Sequence, residues 1–438
     1  MQNLQTDNNN LWKSASLTSI CKKLRGVSYN KDEVTLIAES GYLPILRANN
    51  ISDDELNYDH LVYVPPKRVS EQQLLKSGDV VIAMSSGSKL VVGKAAQLQK
   101  DWIGSFGAFC GVLRPISYKV EPEFFGYFFS TKLYRSYISE IASGSNINNL
   151  KNEHFDNIDF PLPPINEQKK IISKLHDLLP KVKSNKQQIN NAKNHIHQFR
   201  QSVLYAAVTG KLTEEWRGKN KQLKPVSNSI AKDIFTDSEQ SGWVKTDIGK
   251  LYDSFGGGTP SKSEPEYWNG DIQWVASGDV KNDYIDTGSA TITKKGLDSS
   301  SSKICSIGSV IVVVRSGILK HTLPVSIVKK DISINQDIKC FDSGNTDLNM
   351  WLFYFLKAMQ NDILVLNREG TTVQSVKYET LKGREIDLPS FDEQREIVRR
   401  VRSMFEVADS VENQIESAGS KTDKLTQSIL AKAFRGEL

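Results

Sequence analysis

The sequence predicts an α+β protein: two mixed α/β lobes separated by two long helices that pair as a coiled coil, giving a pseudo-twofold molecule if the pairing is antiparallel. Three observations predict this. A stretch of 51 residues occurs twice in one register, apolar residues recur at heptad spacing through both copies, and the segments preceding the copies echo one another. The corresponding boundaries are a first lobe over 1–161, a helical spacer over 162–217, a linker over 218–241, a second lobe over 242–387 and a second helical spacer over 388–438.

The repeat opens at Leu162-Pro163-Pro164-Ile165-Asn166-Glu167-Gln168, and a constant shift of 226 residues gives Leu388-Pro389-Ser390-Phe391-Asp392-Glu393-Gln394. The same shift carries Ala207, Gly210 and Leu212 onto Ala433, Gly436 and Leu438. Steps of four and three from Ile171 reach Leu175, Leu178, Val182, Asn185, Ile189, Ala192, Ile196, Phe199 and Val203. The second series runs Ile397, Val401, Met404, Ala408, Val411, Ile415, Ala418, Thr422, Leu425 and Ile429. An apolar seam over more than four heptads is the signature of paired helices, and Asn185 and Thr422 are its polar interruptions. Asn166 and Asp392 suit helix N-caps, and Gly210 and Gly436 suit helix ends. Pro180 has no amide to offer the His176 carbonyl, which predicts a kink, and Gly419 weakens the second helix. Some forty residues at about 1.5 Å each make a rod of roughly 60 Å. The seam alone leaves the direction of pairing open, as well as the plainer alternative of two amphipathic helices in separate cores.

The lobes read as short strands and helices. Strands are expected at Tyr42–Ala48 and Asp79–Met84, and the run Phe124 to Phe129 reads as a buried helix face. In the second lobe Gln273 to Ser277 echoes Pro44 to Ala48, Ile307 to Val312 echoes Ser77 to Ile82, and Trp351 to Phe355 falls on Phe125 to Phe129. Gly144 and Lys151 fall likewise on Gly370 and Lys377. Lys219 to Ser241, polar and unpatterned, reads as linker.

Composition narrows the class. Hydrophobic residues at 39% and charged residues at 24% are ordinary for a globular protein. The first residues carry neither a basic nor an apolar leader segment, and the run Ile304 to Val314 is too short to span a bilayer, so no membrane association is expected. Cys21, Cys110, Cys305 and Cys340 are far apart and read as small buried residues in a reducing, cytoplasmic setting. No metal site is expected, since His195 and His197 point to different helix faces. The net charge of +5 is concentrated: residues 161–220 hold 11 Lys and Arg against 4 Asp and Glu, whereas the lobes are close to neutral. That helix suits either a slightly negative partner helix or a nearby polyanion.

No catalytic set emerges. Gly210-Lys211-Leu212 and Gly249-Lys250-Leu251 both fail the last position of a phosphate-binding P-loop. Phe255-Gly256-Gly257-Gly258-Thr259 is glycine-rich, but the Pro-Pro pairs at 65–66 and 163–164 follow Val64 and Leu162, so no Asn/Asp-Pro-Pro-aromatic tetrad exists to hold a target adenine. Binding chemistry is easier to place. In the first lobe the loop-like runs carry Arg47, Asn49, Asn50, Ser86, Lys89, Asn146, Asn148 and Lys151. In the second they carry Thr259, Ser261, Lys262, Arg315, Lys320, His321, Thr372, Gln374 and, by the repeat, Lys377. Asn and Gln can read adenine, Arg can read guanine, and Ser, Thr and Lys can hold phosphates. Polar loops of this kind are also ordinary solvated turns.

The Leu-Pro-Pro-x-x-Glu-Gln-x-x-Ile entry at Leu162, the long helix, and the Ala-x-x-Gly-Lys-Leu exit at Ala207 resemble the repeated regions of type I restriction–modification specificity subunits. Phe255 to Ser261, Tyr267-Trp268-x-Gly270 and Asn335-Gln336-Asp337 resemble their target-recognition domains. The resemblance covers essentially the whole chain. It implies that each lobe reads one half of a bipartite, asymmetric site in double-stranded DNA, and that the helices are a spacer that docks two modification (methyltransferase) subunits. Those subunits would carry S-adenosylmethionine and methylate adenine, this chain holding no cofactor. Two restriction (motor–nuclease) subunits would complete the complex. The first lobe departs from the second: Ala108-Phe109-Cys110 stands where Asn335-Gln336-Asp337 stands, and the Gly-Gly-Gly-Thr-Pro-Ser loop is missing. A self-sufficient methyltransferase or nuclease, a coiled-coil protein adaptor, and the specificity subunit of another multi-subunit restriction system are the competing expectations.

Overall fold

In the computed structural model the described residues are 12–52, 54–86, 91–144, 149–220, 243–365 and 375–438. They form two compact units. Unit 1 comprises Met1–Asn190 with Glu416–Leu438, and unit 2 comprises Asn191–Ile415. Each long helix therefore contributes to both units.

In unit 1 the strand Lys13–Ser16 pairs antiparallel with Asp159–Leu162, so the lobe closes on itself just before the first long helix begins. A four-stranded sheet runs in the order Cys21–Arg25, Cys110–Pro115, Val80–Ala83, Ala95–Gln97. Both faces of Val80–Ala83 are buried, which explains its unbroken apolar run. Val80 and Ile82 face one cluster, Val81 and Ala83 the other, as a strand's two-residue period requires. The helix Pro122–Phe128 starts on a proline, whose missing amide costs nothing there, and buries Phe124, Phe125 and Phe128 as expected. The core is completed by the far end of the second long helix: Ile429, Leu430, Ala433 and Phe434 join it, and Phe434 stacks on Phe124 at 4.7 Å between ring centroids.

Unit 2 repeats this plan with longer sheets. Trp243–Asp247 pairs with Glu385–Pro389. A five-stranded sheet runs Asp253–Gly256, Ile338–Asp342, Val310–Val313, Val325–Val328, Tyr284–Ile285, and a four-stranded sheet has Trp268–Val275 beside Ile332–Ile334. The helix Thr346–Ala358 is capped by Asn345, whose side-chain oxygen accepts the amides of Asp347 and Leu348. Its apolar face meets Val310 and Val312, and the same core takes Val203, Leu204 and Ala207 from the first long helix and Ile397 and Val401 from the second. All four cysteines are buried and unbridged.

The long helices are continuous over Ile165–Val208 and Phe391–Arg435. The first passes through Pro180, which is exposed, so the missing bond to the His176 carbonyl falls on the solvent side and does not end the helix. The caps differ from expectation. Asn166 and Asp392 lie inside the first turn, because the amides of Glu167 and Gln168 already bond the Pro164 carbonyl and the Gln394 amide bonds that of Ser390. The Glu-Gln motif explains the early start: the side-chain amides of Gln168 and Gln394 donate to the carbonyls of Pro163 (2.7 Å) and Pro389 (2.8 Å), tying the entry strand to the helix. Gly210 and Gly436 end the helices in the left-handed region (φ 74° and 76°), each pressed against a tryptophan, Trp243 or Trp12.

Within each unit the helices pair antiparallel. In unit 1 Lys186 bonds Asp423 at 3.2 Å, while Ile189 lies 3.8 Å from where a Cβ on Gly419 would stand. Moving up one helix therefore moves down the other. In unit 2 Arg200 bonds Asp409 and Glu412 and covers the Phe405 ring, the basic helix meeting acidic residues as its charge suggested. The seam is buried where it joins a lobe core, at Leu175, Val182 and Val401, and thins between. Leu178, Ile189, Ile196, Met404, Ile415 and Thr422 are half-buried, and Phe199, Val411 and Leu425 are exposed. Asn185 is exposed, and Thr422 turns its hydroxyl onto the Ala418 carbonyl at 2.8 Å.

Arg400 fastens the end of the first helix in unit 2, donating to the Leu212 carbonyl (2.7 Å) and to Glu396 (2.6 Å). The Arg399 guanidinium, helped by Arg400, holds the Glu396 carboxyl down at about 2 from an ordinary 4.5. A carboxyl depressed on folding stabilises above its unfolded pKa and loses that contribution as pH falls through the folded one. Unit 2 is expected to lose stability between pH 4.5 and about 2, and Glu396→Gln should flatten that part of the denaturation profile.

Candidate nucleic-acid interface

The loops singled out in the sequence gather, in each lobe, around one backbone frame. In unit 2 the amides of Val314 and Arg315 both donate to the Asp337 carbonyl, Asn335 donates to Val275, and Gly258 to Ile334. In unit 1 the amides of Met84 and Ser85 both donate to Phe109, Gly107 donates to Leu46, and Val27 to Phe106. Isolated bridges complete the match, Ser85 with Asn149 and Arg315 with Ser375. Hydrogen bonding thus sets the register of the two lobes: Gly107, Ala108 and Phe109 stand for Asn335, Gln336 and Asp337, one position off the alignment read from sequence.

This frame gives the glycine loop a packing role. A Cβ on Gly257 would stand 1.8 Å from the Ile334 carbonyl oxygen, and the Gly258 carbonyl accepts both the Trp274 indole N–H (3.0 Å) and the Ser302 hydroxyl (2.9 Å). The glycines let the loop lie against the neighbouring strand. Gly26 does the same in unit 1, where a Cβ would stand 2.0 Å from the Gly107 oxygen. The first lobe lacks the Gly-Gly-Gly run but keeps the one glycine its backbone requires.

The second-lobe candidates are brought together in part. Thr259 donates to Gln336 at 2.6 Å, and Arg315 donates to Asp337 at 2.6 Å while its side chain stays more than half exposed. Ser261 shares a hydrogen bond with Ser263, and its carbonyl accepts the Trp268 indole. Lys262, Lys320, His321 and Lys377 are exposed. In the first lobe Asn49 is exposed, Ser86 and Arg47 are half-buried, and Arg47 donates to the His60 carbonyl at 2.8 Å. Lys151 is exposed and paired with Glu153.

Asn50 is a correction. It is 1% exposed, accepting the Arg47 amide and donating to the Asp59 carbonyl, both at 2.9 Å; a side chain spent on closing its own turn is not a surface reader. Lys89, Asn146, Asn148, Thr372 and Gln374 lie outside the described residues, as does most of the linker. Gln336 and Phe109, both exposed, stand on this frame and are not among the candidates read from sequence. Their signal is structural equivalence, which needs the correct register.

Among the described residues no cluster of His, Cys, Asp and Glu could hold a metal, and no helix is long and apolar enough to cross a membrane. Two lobes built on one frame, carrying different polar loops and joined to long paired helices, define a recognition protein. A family model for the type I restriction modification DNA specificity domain matches residues 9–194 and 240–418. The specificity subunit of the type I restriction enzyme EcoKI from Escherichia coli K12 is 34% identical over 98% of this chain and 89% of its own length. That of StySPI from Salmonella potsdam is 35% identical over the same shares. A chain solved in a study of complex assembly and conformational transition of the type I restriction–modification system has the same fold, with a TM-score of 0.70, 18% identity and coverage of 99% and 100%. The chain belongs to the type I restriction–modification DNA specificity family. It is a specificity subunit that recognises DNA, the non-catalytic member of a system whose catalytic activities lie in partner subunits.

Proposed function

We propose that each lobe reads one half of a bipartite, asymmetric site in double-stranded DNA, and that the helices set the unread gap. The observation carrying this is the pairing of a shared backbone frame with unlike loops: Thr259, Arg315, Gln336 and Asp337 in one lobe, Arg47, Asn49, Ser85 and Phe109 in the other. Unlike readers select unlike half-sites. Half-sites read from one face of a duplex are separated by about one turn, roughly 34–36 Å, which suits a helical spacer. The recognition domains then correspond to 1–161 and 242–387, with spacers at 162–217 and 388–438.

Two modification subunits dock on the helices, whose apolar residues Phe199, Val407 and Val411 remain exposed. They carry the S-adenosylmethionine and methylate adenine, two restriction subunits cleave, and the assembly works on DNA in the cytoplasm. Sequencing methylated adenines in the native genome with and without this gene tests the reading. Loss of one two-part motif is the expected result, and an unchanged methylation pattern rejects it. Adding one heptad to both helices should lengthen the gap while leaving both half-sites unaltered.

A further inference from the structure

The loop at Gly107–Phe109 differs in kind from its counterpart. Where Asp337 holds Arg315, the first lobe has Phe109 facing Ser85, and Phe109 is 69% exposed. Single exposed apolar residues are commonplace; this one has a fixed place. Its carbonyl accepts two amides, from Met84 at 2.9 Å and Ser85 at 3.1 Å, and the Cys110 amide closes the turn onto Gly107 at 2.8 Å. The backbone of a mobile tip would not be held three times over. The ring edges a cleft of about 720 Å³ that Tyr29, Arg47, Asn49, Ser85 and Lys94 also line. Two cations and several hydroxyls around one apolar ring form a surface for a polyanion with an apolar spot between its charges.

Resting on the half-site reading above, we infer that Phe109 is a specificity-determining contact to a thymine, its ring packing on the C5-methyl group in the major groove while Arg47 and Lys94 face the flanking phosphates. Base edges in the major groove offer donors, acceptors and a single apolar feature, the thymine methyl. A phenyl ring placed among them gains only from that feature and leaves the polar edges of other bases unpaired. The first lobe thereby reads by apolar contact at the position where the second lobe uses the Arg315–Asp337 pair.

The test uses the full chain assembled with its modification subunits and duplexes containing its methylation site, with each thymine replaced in turn by uracil, which lacks only the methyl. One replacement is expected to weaken binding about fourfold, the size of one buried methyl. Phe109→Ala should weaken binding to the thymine duplex by about tenfold, more than it weakens binding to random duplexes, and bind the thymine and uracil duplexes alike. The inference is overturned if no uracil replacement matters, if Phe109→Ala still distinguishes thymine from uracil, or if it loses random-duplex binding equally. A wild-type assembly with no preference for any duplex would instead sink the half-site reading itself.

Discussion

Ending the chain after Gln427 is expected to unfold unit 1 and spare most of unit 2, although every residue of the first lobe is retained. The deleted turns carry Ile429, Leu430, Ala433 and Phe434, each no more than 7% exposed and all in the core that holds Phe124, Phe128 and Phe160. Three large apolar side chains at about 1.5–3 kcal/mol each approach the whole stability of a domain, about 5–15 kcal/mol. The Phe434 ring also makes edge contacts with Phe128 and Phe160, centroids 5.7 and 6.1 Å away. Hydrogen exchange checks this by region. Protection should vanish over the helix Pro122–Phe128 and persist over Thr346–Ala358. Equal protection in both would show that the first lobe is self-sufficient. Phe434→Ala is the milder version, costing about 3–5 kcal/mol.

The second large effect is expected from Arg217→Met. Glu393 is fully buried, and one of its carboxylate oxygens accepts the Thr213 hydroxyl at 2.7 Å and the Arg217 guanidinium at 2.5 Å. Arg217 also donates to the Gly210 carbonyl at 3.0 Å and lies over the Trp243 ring. Removing the cation strands a buried carboxylate, at a cost of about 3–5 kcal/mol. Neutralising that carboxylate in the same background, with Glu393→Gln, should recover much of the loss. Urea unfolding of the single and double variants measures both. A single variant as stable as the parent would show that the Arg217 pairing is not what keeps this carboxylate in the core.

The two predictions mark where the sequence was legible and where it was not. The repeat at a shift of 226, the helical seam and the buried face of Phe124 to Phe128 rest on local periodicity, and periodicity is written residue by residue. Glu393, Asn50 and Phe434 are different. Nothing in the motif around Glu393 announces that its partners are Thr213 and Arg217, because buried pairing depends on which distant segment arrives. Asn50 belongs to the residue types that contact bases, yet the same donors and acceptors close turns, and only burial separates the uses. The loop register is invisible in the sequence because Gly107 and Ala108 share no side-chain chemistry with Asn335 and Gln336, whereas the backbone bonds around them agree. The helices start earlier than Asn166 and Asp392 suggest because Asn and Asp are good caps in general, while Gln168 and Gln394 fix the entry by reaching back to the proline carbonyls.

The core of unit 1 joins Leu175 to Ile429, about 250 residues later. A ribosome adding 5–20 residues per second leaves the first lobe waiting roughly ten to fifty seconds for its final wall. During that interval the Phe124, Phe128 and Phe160 rings face water on the side that Phe434 will close. The first lobe is thus synthesised before the second but closed after it, and the nascent chain leaves an aromatic surface uncovered until Phe434 arrives.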